Sequence, residues 1–360
     1  MNKKAIRLLI LLVIAGTILT GCAAGVRAES TPGITVSEDN VYLAYMTNLY
    51  QIDRTTGVQM SDAVEKVSAN LVMYAPPLVD DGYVYYGDLA NKFHKVSADN
   101  LRSSSWTFEG AKGWYQGKAA IADDLIIAPS TDRNIYALNK DTGELVWTYS
   151  GEFAFISEPL VVGDKIVVSA QDHHVLVLDS KTGEEIHRVE MIGAVLSSPL
   201  YDPESGSVFV GSLGPEMISF NLETGVVNWT YGEGKALDSI WGTPILNGNE
   251  LIFVDKSGMS IALDKNSGEE LWQNNAGGEV VAGAVLVEGE GFLVALENGT
   301  INFYTGDTHA PLRSITVPGN IYSKPIVDGD QIFVPVINAD ALLYTYSTTG
   351  VPGWSFEAGN

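Results

Sequence analysis

The chain has 360 residues, with 21 Lys and Arg against 44 Asp and Glu, a formal charge of −23, and one cysteine. So acidic a surface repels phosphate backbones and anionic headgroups, which excludes nucleic acid as a partner and electrostatics as a membrane attachment. With one cysteine no intramolecular disulfide can form, and stability must come from packing.

Lys3, Lys4 and Arg7 lead into an apolar run over 8–18 and then "LTGC" at 19–22. A basic start, a short apolar run and small residues at a cut site describe a secretory signal. The run is too short to span a bilayer, which takes about 20 apolar residues. "LTGC" resembles the lipobox of bacterial lipoproteins, and the resemblance implies cleavage before Cys22 and a lipid on it. The expected division is a signal over 1–21, a short tether over 22–33 and a folded domain over 34–360. The chain is then exported and anchored through Cys22, on the periplasmic side of an outer membrane or the outer face of the cell membrane. Loss of the signal leaves 18 basic against 44 acidic residues, a formal −26.

Beyond the tether one phrase keeps returning: "NKDTGELVWTYSG" at 139–151, then "DSKTGEEIHRVE", "NLETGVVNWTYG" and "DKNSGEELWQNN". Its glycines are Gly57, Gly143, Gly183, Gly225, Gly268 and Gly350, separated by 86, 40, 42, 43 and 82 residues. The two wide gaps are twice the narrow ones, so each hides a degenerate unit, expected near Asn100 and Gly306. The mean step is 41.9 residues, and eight units fit between Ile34 and Asn360. Each unit reads as four short strands, as in "SEPLVV", "KIVVSA", "VLVLDS" and "EEIHRVE", broken by Gly/Asp/Asn turns. Four strands every 40 or so residues predict an all-β fold, an eight-bladed β-propeller of four-stranded antiparallel blades.

Asp53, Asn139, Asp179, Asn221 and Asp264 stand four residues before a glycine, where an Asx side chain can take the following amides and Gly can supply positive φ. Trp147, Trp229, Trp272 and Trp354 stand four residues after one, on the outermost strand, and are expected to fasten each blade to the next. His187 replaces the tryptophan in one unit. This pattern resembles the tryptophan-docking repeat of the PQQ-type (pyrroloquinoline quinone) propellers and covers essentially all of 34–360.

The resemblance raises quinoprotein dehydrogenase as a function. Its alcohol branch implies a vicinal cysteine pair and a carboxylate-held calcium; this chain has no cysteine beyond Cys22, and no cofactor is expected. Asp172, His173 and His174 suggest a metal only out of context, since adjacent strand residues face opposite ways. Asp80–Asp81 and Asp123–Asp124 fall at hairpin turns. No catalytic constellation remains.

A binding face does. The loops from each outer strand to the next inner strand open on one face and carry Tyr74, Trp114, Tyr115, Phe155, Trp241 and Tyr322, an expected hydrophobic anchor patch. Lys118, Glu158 and Lys324, each directly before an inner strand, are expected as its polar rim. In architecture, signal and length the chain is similar to the BamB lipoproteins of the outer-membrane β-barrel assembly machinery. That resemblance implies a non-catalytic scaffold in the cell envelope that binds another protein and is monomeric outside its complex. The alternative is a carbohydrate- or ligand-binding surface module.

Overall fold

Runs of three to nine residues rich in Val, Ile, Leu and Tyr, each closed by a Gly, Asp or Asn turn, favour antiparallel hairpins. In the computed structural model, which describes residues 30–61 and 73–358, they form 32 strands. The signal, Cys22 and most of the tether lie outside the described residues. The strands make eight four-stranded antiparallel sheets, each a meander of consecutive strands. These are blades 1 to 8, over 33–61, 78–108, 120–150, 160–190, 200–231, 245–275, 284–316 and 326–356. The fold is an eight-bladed β-propeller. It takes hold slightly before the expected boundary: Ser30 is fully buried, its Oγ accepts the Met46 amide, and the first strand starts at Gly33.

The core is divided among the junctions between blades. One apolar cluster lies between blades 3 and 4 (Ile127, Trp147, Phe155, Ile166, Leu178), another between blades 4 and 5 (Val167, Val177, Val208, Phe220), and so on round the ring. Each blade is therefore half of two cores, and a single blade could not bury its faces alone.

The recurring phrase is the fastening at these junctions. Asn139 Oδ1 accepts the amides of Asp141 and Thr142 at 3.0 and 2.9 Å, and Gly143 donates its own amide to the Asn139 carbonyl. Gly183 has φ +72°, and a Cβ there would lie 2.5 Å from Trp147 Cε3, so the indole packs on a turn where glycine leaves it room. Trp147, Trp229 and Trp354 donate Nε1–H to the carbonyls of Ser180, Lys265 and Arg54 at 3.0, 3.1 and 2.9 Å. A register shift at the same point of each outer pairing turns these residues toward the next blade, as between Val177 and Leu178.

Two positions, Trp106 and the turn of blade 7, differ from expectation, and His187 stands where it was expected. Trp106 belongs to the set: it covers Gly143 and donates to the Lys140 carbonyl at 3.1 Å. His187 takes the tryptophan's place over Gly225, its Nε2–H donating to the Glu223 carbonyl at 2.8 Å. The degenerate turn of blade 7 is phased on His309, not Gly306. His309 holds φ +55° and donates its amide to the Thr305 carbonyl as the glycines do to their Asx residues, while Gly306 has no left-handed φ. Trp272 accordingly stacks on His309 at 4.2 Å, and its Nε1 meets Glu250 Oε1. Four residues beyond His309, Arg313 occupies the tryptophan position against Gly350.

The ring closes without exchanging a strand, since blades 1 and 8 are each built from one end of the chain. Trp354 covers Gly57, Tyr50 meets Phe356 edge-on at 5.2 Å, and Arg54 pairs with Asp328 at 2.7 Å.

Candidate functional site: the loop face

One face carries the loops between blades together with the central hairpin turn of each blade. Backbone bonds knit them: Thr131, Leu213 and Lys256 donate amides to the carbonyls of Trp114, Ala194 and Ser239 in the loop alongside. Acids add a second tie. Asp132, Glu216 and Asp255 accept the amides of Lys112, Ile192 and Asp238 at 2.7, 2.9 and 2.9 Å. Donation from Lys112 and Tyr136 outweighs burial and holds the Asp132 carboxyl below the usual range. These loops are therefore set in place by the blades, and their acids are committed to structure.

Side chains alternate along each loop. Tyr115 and Phe155, expected on the exposed patch, are 0% and 1% exposed, in the same position as fully buried Val195, Ile240 and Ile321. The physical reason is the backbone bond each makes: Tyr115 and Phe155 donate to the carbonyls of Asp88 and Ser130, which turns the ring down between the blades. They are core residues. The next position outward holds Tyr74, Gln116, Ile156, Leu196, Trp241, Val281 and Tyr322, none of them buried. Trp241 is 38% exposed, its Nε1 bonded to Ser239 Oγ, and Lys256 lies 6.0 Å over its ring. Tyr322 donates its hydroxyl to Glu297. Trp114 is 48% exposed and walls a cleft of about 480 Å³ between blades 3 and 4, with Gln116, Thr131, Ile156 and Gln171.

Two residues absent from the expected patch belong to it: Phe153, 53% exposed, and Ile192, 65% exposed, at the tips of the next two loops. Phe153 stands where four of the other described loops carry glycine (Gly113, Gly193, Gly278, Gly319), which was a readable signal, whereas Ile192 has an apolar counterpart in Leu237. Trp114, Phe153, Ile192 and Trp241 thus form an apolar sector across the loops that enter blades 3 to 6.

The three charged residues do not rim this sector. Each loop from an outer strand to the next inner strand runs from periphery to axis, so Lys118, Glu158 and Lys324 stand at the axial ends of their loops, directly before the inner strands. Ser198, Thr243 and Gly283 hold the same place in blades 5 to 7. Lys118 Nζ pairs with Glu158 Oε1 at 3.1 Å, and the Glu158 amide donates to Ser198 Oγ. Burial lowers the Lys324 ammonium below the usual lysine range, with Glu158 opposing that shift. The small residues just before these positions are steric: a Cβ on Gly117 would lie 2.7 Å from the Ser157 carbonyl. Asp172 and His174 form a 3.3 Å pair beside the turn residue His173, whose φ is +69°. Among the described residues no three His, Cys, Asp or Glu side chains are grouped to hold a metal ion.

A family profile described as "Outer membrane protein assembly factor BamB" matches residues 102–262 and 256–360. The chain belongs to the BamB family. A BamB from Shewanella oneidensis is 24% identical over 249 residues, covering 62% of this chain and 59% of that protein, so the match spans less than two thirds of the relative's length. The crystal structure of BamB from Moraxella catarrhalis superposes with a TM-score of 0.72 at 16% identity, covering 85% of this chain and 91% of that one. A 1-butanol dehydrogenase (quinone) from Thauera butanivorans is 22% identical over 178 residues, 43% of this chain and 27% of that enzyme. The likeness to the solved BamB extends to the propeller fold.

Proposed function

We propose that this protein is a membrane-anchored, non-catalytic scaffold of the cell envelope that takes part in assembling outer-membrane proteins and docks its protein partner on the apolar sector of the loop face. One observation carries the reading: Trp114, Phe153, Ile192 and Trp241 are held open to water on loops that the blades fix in place. Large aromatic groups kept exposed on a rigid frame are what interface hot spots are made of. The family described as outer membrane protein assembly factor supplies the kind of partner. The anchor is Cys22, outside the described residues.

Against catalysis stands the engagement of Asp132, Glu216 and Asp255 with backbone amides, and the match to the quinone dehydrogenase covers only 27% of that enzyme. The test is co-purification from membranes of the native host. The wild-type chain should retain outer-membrane assembly proteins, and Trp114→Ala with Trp241→Ala should lose them while keeping the wild-type melting temperature. Retention unchanged in the folded double variant sinks the docking surface; turnover of alcohols with added quinone sinks the non-catalytic reading.

A further inference from the structure

We propose that the cleft walled by Trp114 binds a neutral saccharide of one or two hexose rings, with the indole as the platform for one face of the sugar. The cleft, about 480 Å³, lies between the loops entering blades 3 and 4. That volume falls within the range of about 300–1,000 Å³ for small-ligand sites. Its lining sets it apart from the equivalent places round the ring. Along the loops entering blades 3 to 8, the residue whose carbonyl accepts an amide from the central hairpin is Trp114, Ala154, Ala194, Ser239, Glu279 and Asn320 in turn. Of these six only the first is aromatic, and Ala154, on the other loop lining the cleft, is too small to cover it.

Trp114 is also held in place. It donates its amide to Thr131 Oγ1 at 2.7 Å and accepts the Thr131 amide at 2.9 Å. A flat ring kept 48% exposed on a clamped backbone is a surface on which the C–H face of a pyranose can stack. The hydroxyls at the edge of such a sugar need donors and acceptors together, and Gln116 and Gln171 bring both to the cleft. Each side-chain amide carries two N–H donors and a carbonyl acceptor, and neither has a hydrogen-bond partner among the described residues. Thr131 adds a hydroxyl proton, since its Oγ1 already accepts from Trp114.

The acid in the cleft is committed elsewhere. Asp132 Oδ2 accepts the Lys112 amide and the Tyr136 hydroxyl, both at 2.7 Å, and Oδ1 accepts the Asn134 amide at 3.1 Å. Recognition is left to amides and a hydroxyl, in a chain whose formal charge of −23 repels anions. An uncharged, hydroxyl-rich ligand with an apolar face meets each of these conditions. Trp114 also belongs to the apolar sector, but the glutamines and Thr131 do not, and the inference does not rest on protein docking.

The experiment is calorimetric titration of the full-length chain at pH 7, in a detergent without a sugar headgroup, with cellobiose, maltose and N,N′-diacetylchitobiose. Glucuronate serves as the charged comparison, because exposed Lys112 also lines the cleft. Saturable binding of at least one neutral sugar, tighter than glucuronate, is expected. Gln116→Ala and Gln171→Ala should each weaken it about fivefold, the loss of a hydrogen-bonding group. Trp114→Ala should abolish binding, while Trp114→Phe, which keeps a ring to stack on, should retain it in weakened form. General damage to the fold would not separate those two variants. No saturable binding of any neutral sugar, tighter binding of glucuronate, or wild-type affinity in both glutamine variants overturns the proposal. Partner capture is read separately, so failure of the saccharide site and failure of the docking surface are told apart.

Discussion

At Gly183 the backbone sits at φ +72° with Trp147 lying on it, and the two residues define what a junction requires. Alanine there meets both a left-handed backbone and the indole. Gly183→Ala should therefore cost about 2 kcal/mol or more, given about 1–2 for a non-glycine residue in that region alone, read as a lower midpoint in urea. Blade 4 offers the reverse experiment. His187 fills the docking position over Gly225 with a ring smaller than indole, and flanking outer-strand residues such as Ile186 are exposed. His187→Trp adds apolar area on a seat built for it and keeps a ring N–H for the carbonyl opposite. It should raise stability by about 1 kcal/mol, within the range of cavity-filling substitutions; a lower melting temperature would mean that this junction has adapted to histidine.

At the scale of the blade, the basic residue following an Asx recurs as a strut. Arg54, Lys140 and Lys265 reach back to Asp328, Asp80 and Asp202, each ending the inner strand of the preceding blade. The struts are unequal. Lys140 and Asp80 are 25% and 32% exposed, so Asp80→Ala should cost about 1 kcal/mol or less. Lys265 and Asp202 are 6% and 4% exposed, and Asp202→Ala strands a covered ammonium beside the open Glu204. That should cost about 3 kcal/mol, the low end for breaking a buried pair. Burial disfavours the Asp202 charge, but the Ser205 hydroxyl and Lys265 outweigh it and hold its carboxyl below the usual range. Since the folded pKa is the lower one, this stability is present above about pH 4, the unfolded value, and lost as pH falls through the folded one. The gap between wild type and Asp202→Ala in chemical denaturation should shrink from pH 7 to pH 3; a constant gap would assign the effect to packing.

Blades were legible because Asx, glycine and tryptophan recur at one spacing, and that spacing is local chemistry. The misplacement at Gly306 shows the limit: a glycine in sequence looked like the left-handed residue, whereas the chain uses His309, which tolerates that φ while stacking on Trp272. Tyr115 and Phe155 were placed on the surface because composition marks a loop as aromatic without giving direction; only the cross-blade backbone bonds turn them inward. The struts were overlooked because Asp80 alone looks like a turn residue, and its partner lies 60 residues away.

The whole ring distributes its core over junctions, and the loop face inherits its rigidity from them. Membrane residence is a separate matter, proposed to rest on a lipid at Cys22: Cys22→Ser should then leave the membrane fraction, since acyl chains hold what so acidic a surface cannot, and persistence there would contradict the proposed anchor. The central claim concerns the apolar sector, and complementation tests it most directly. In a deletion strain of the native host, the amount of folded outer-membrane β-barrel protein should fall and be restored by the wild-type gene. Trp114→Ala with Trp241→Ala, expressed at wild-type level and equally stable, should fail to restore it. Full restoration by that folded variant, or no fall on deletion, would contradict the account.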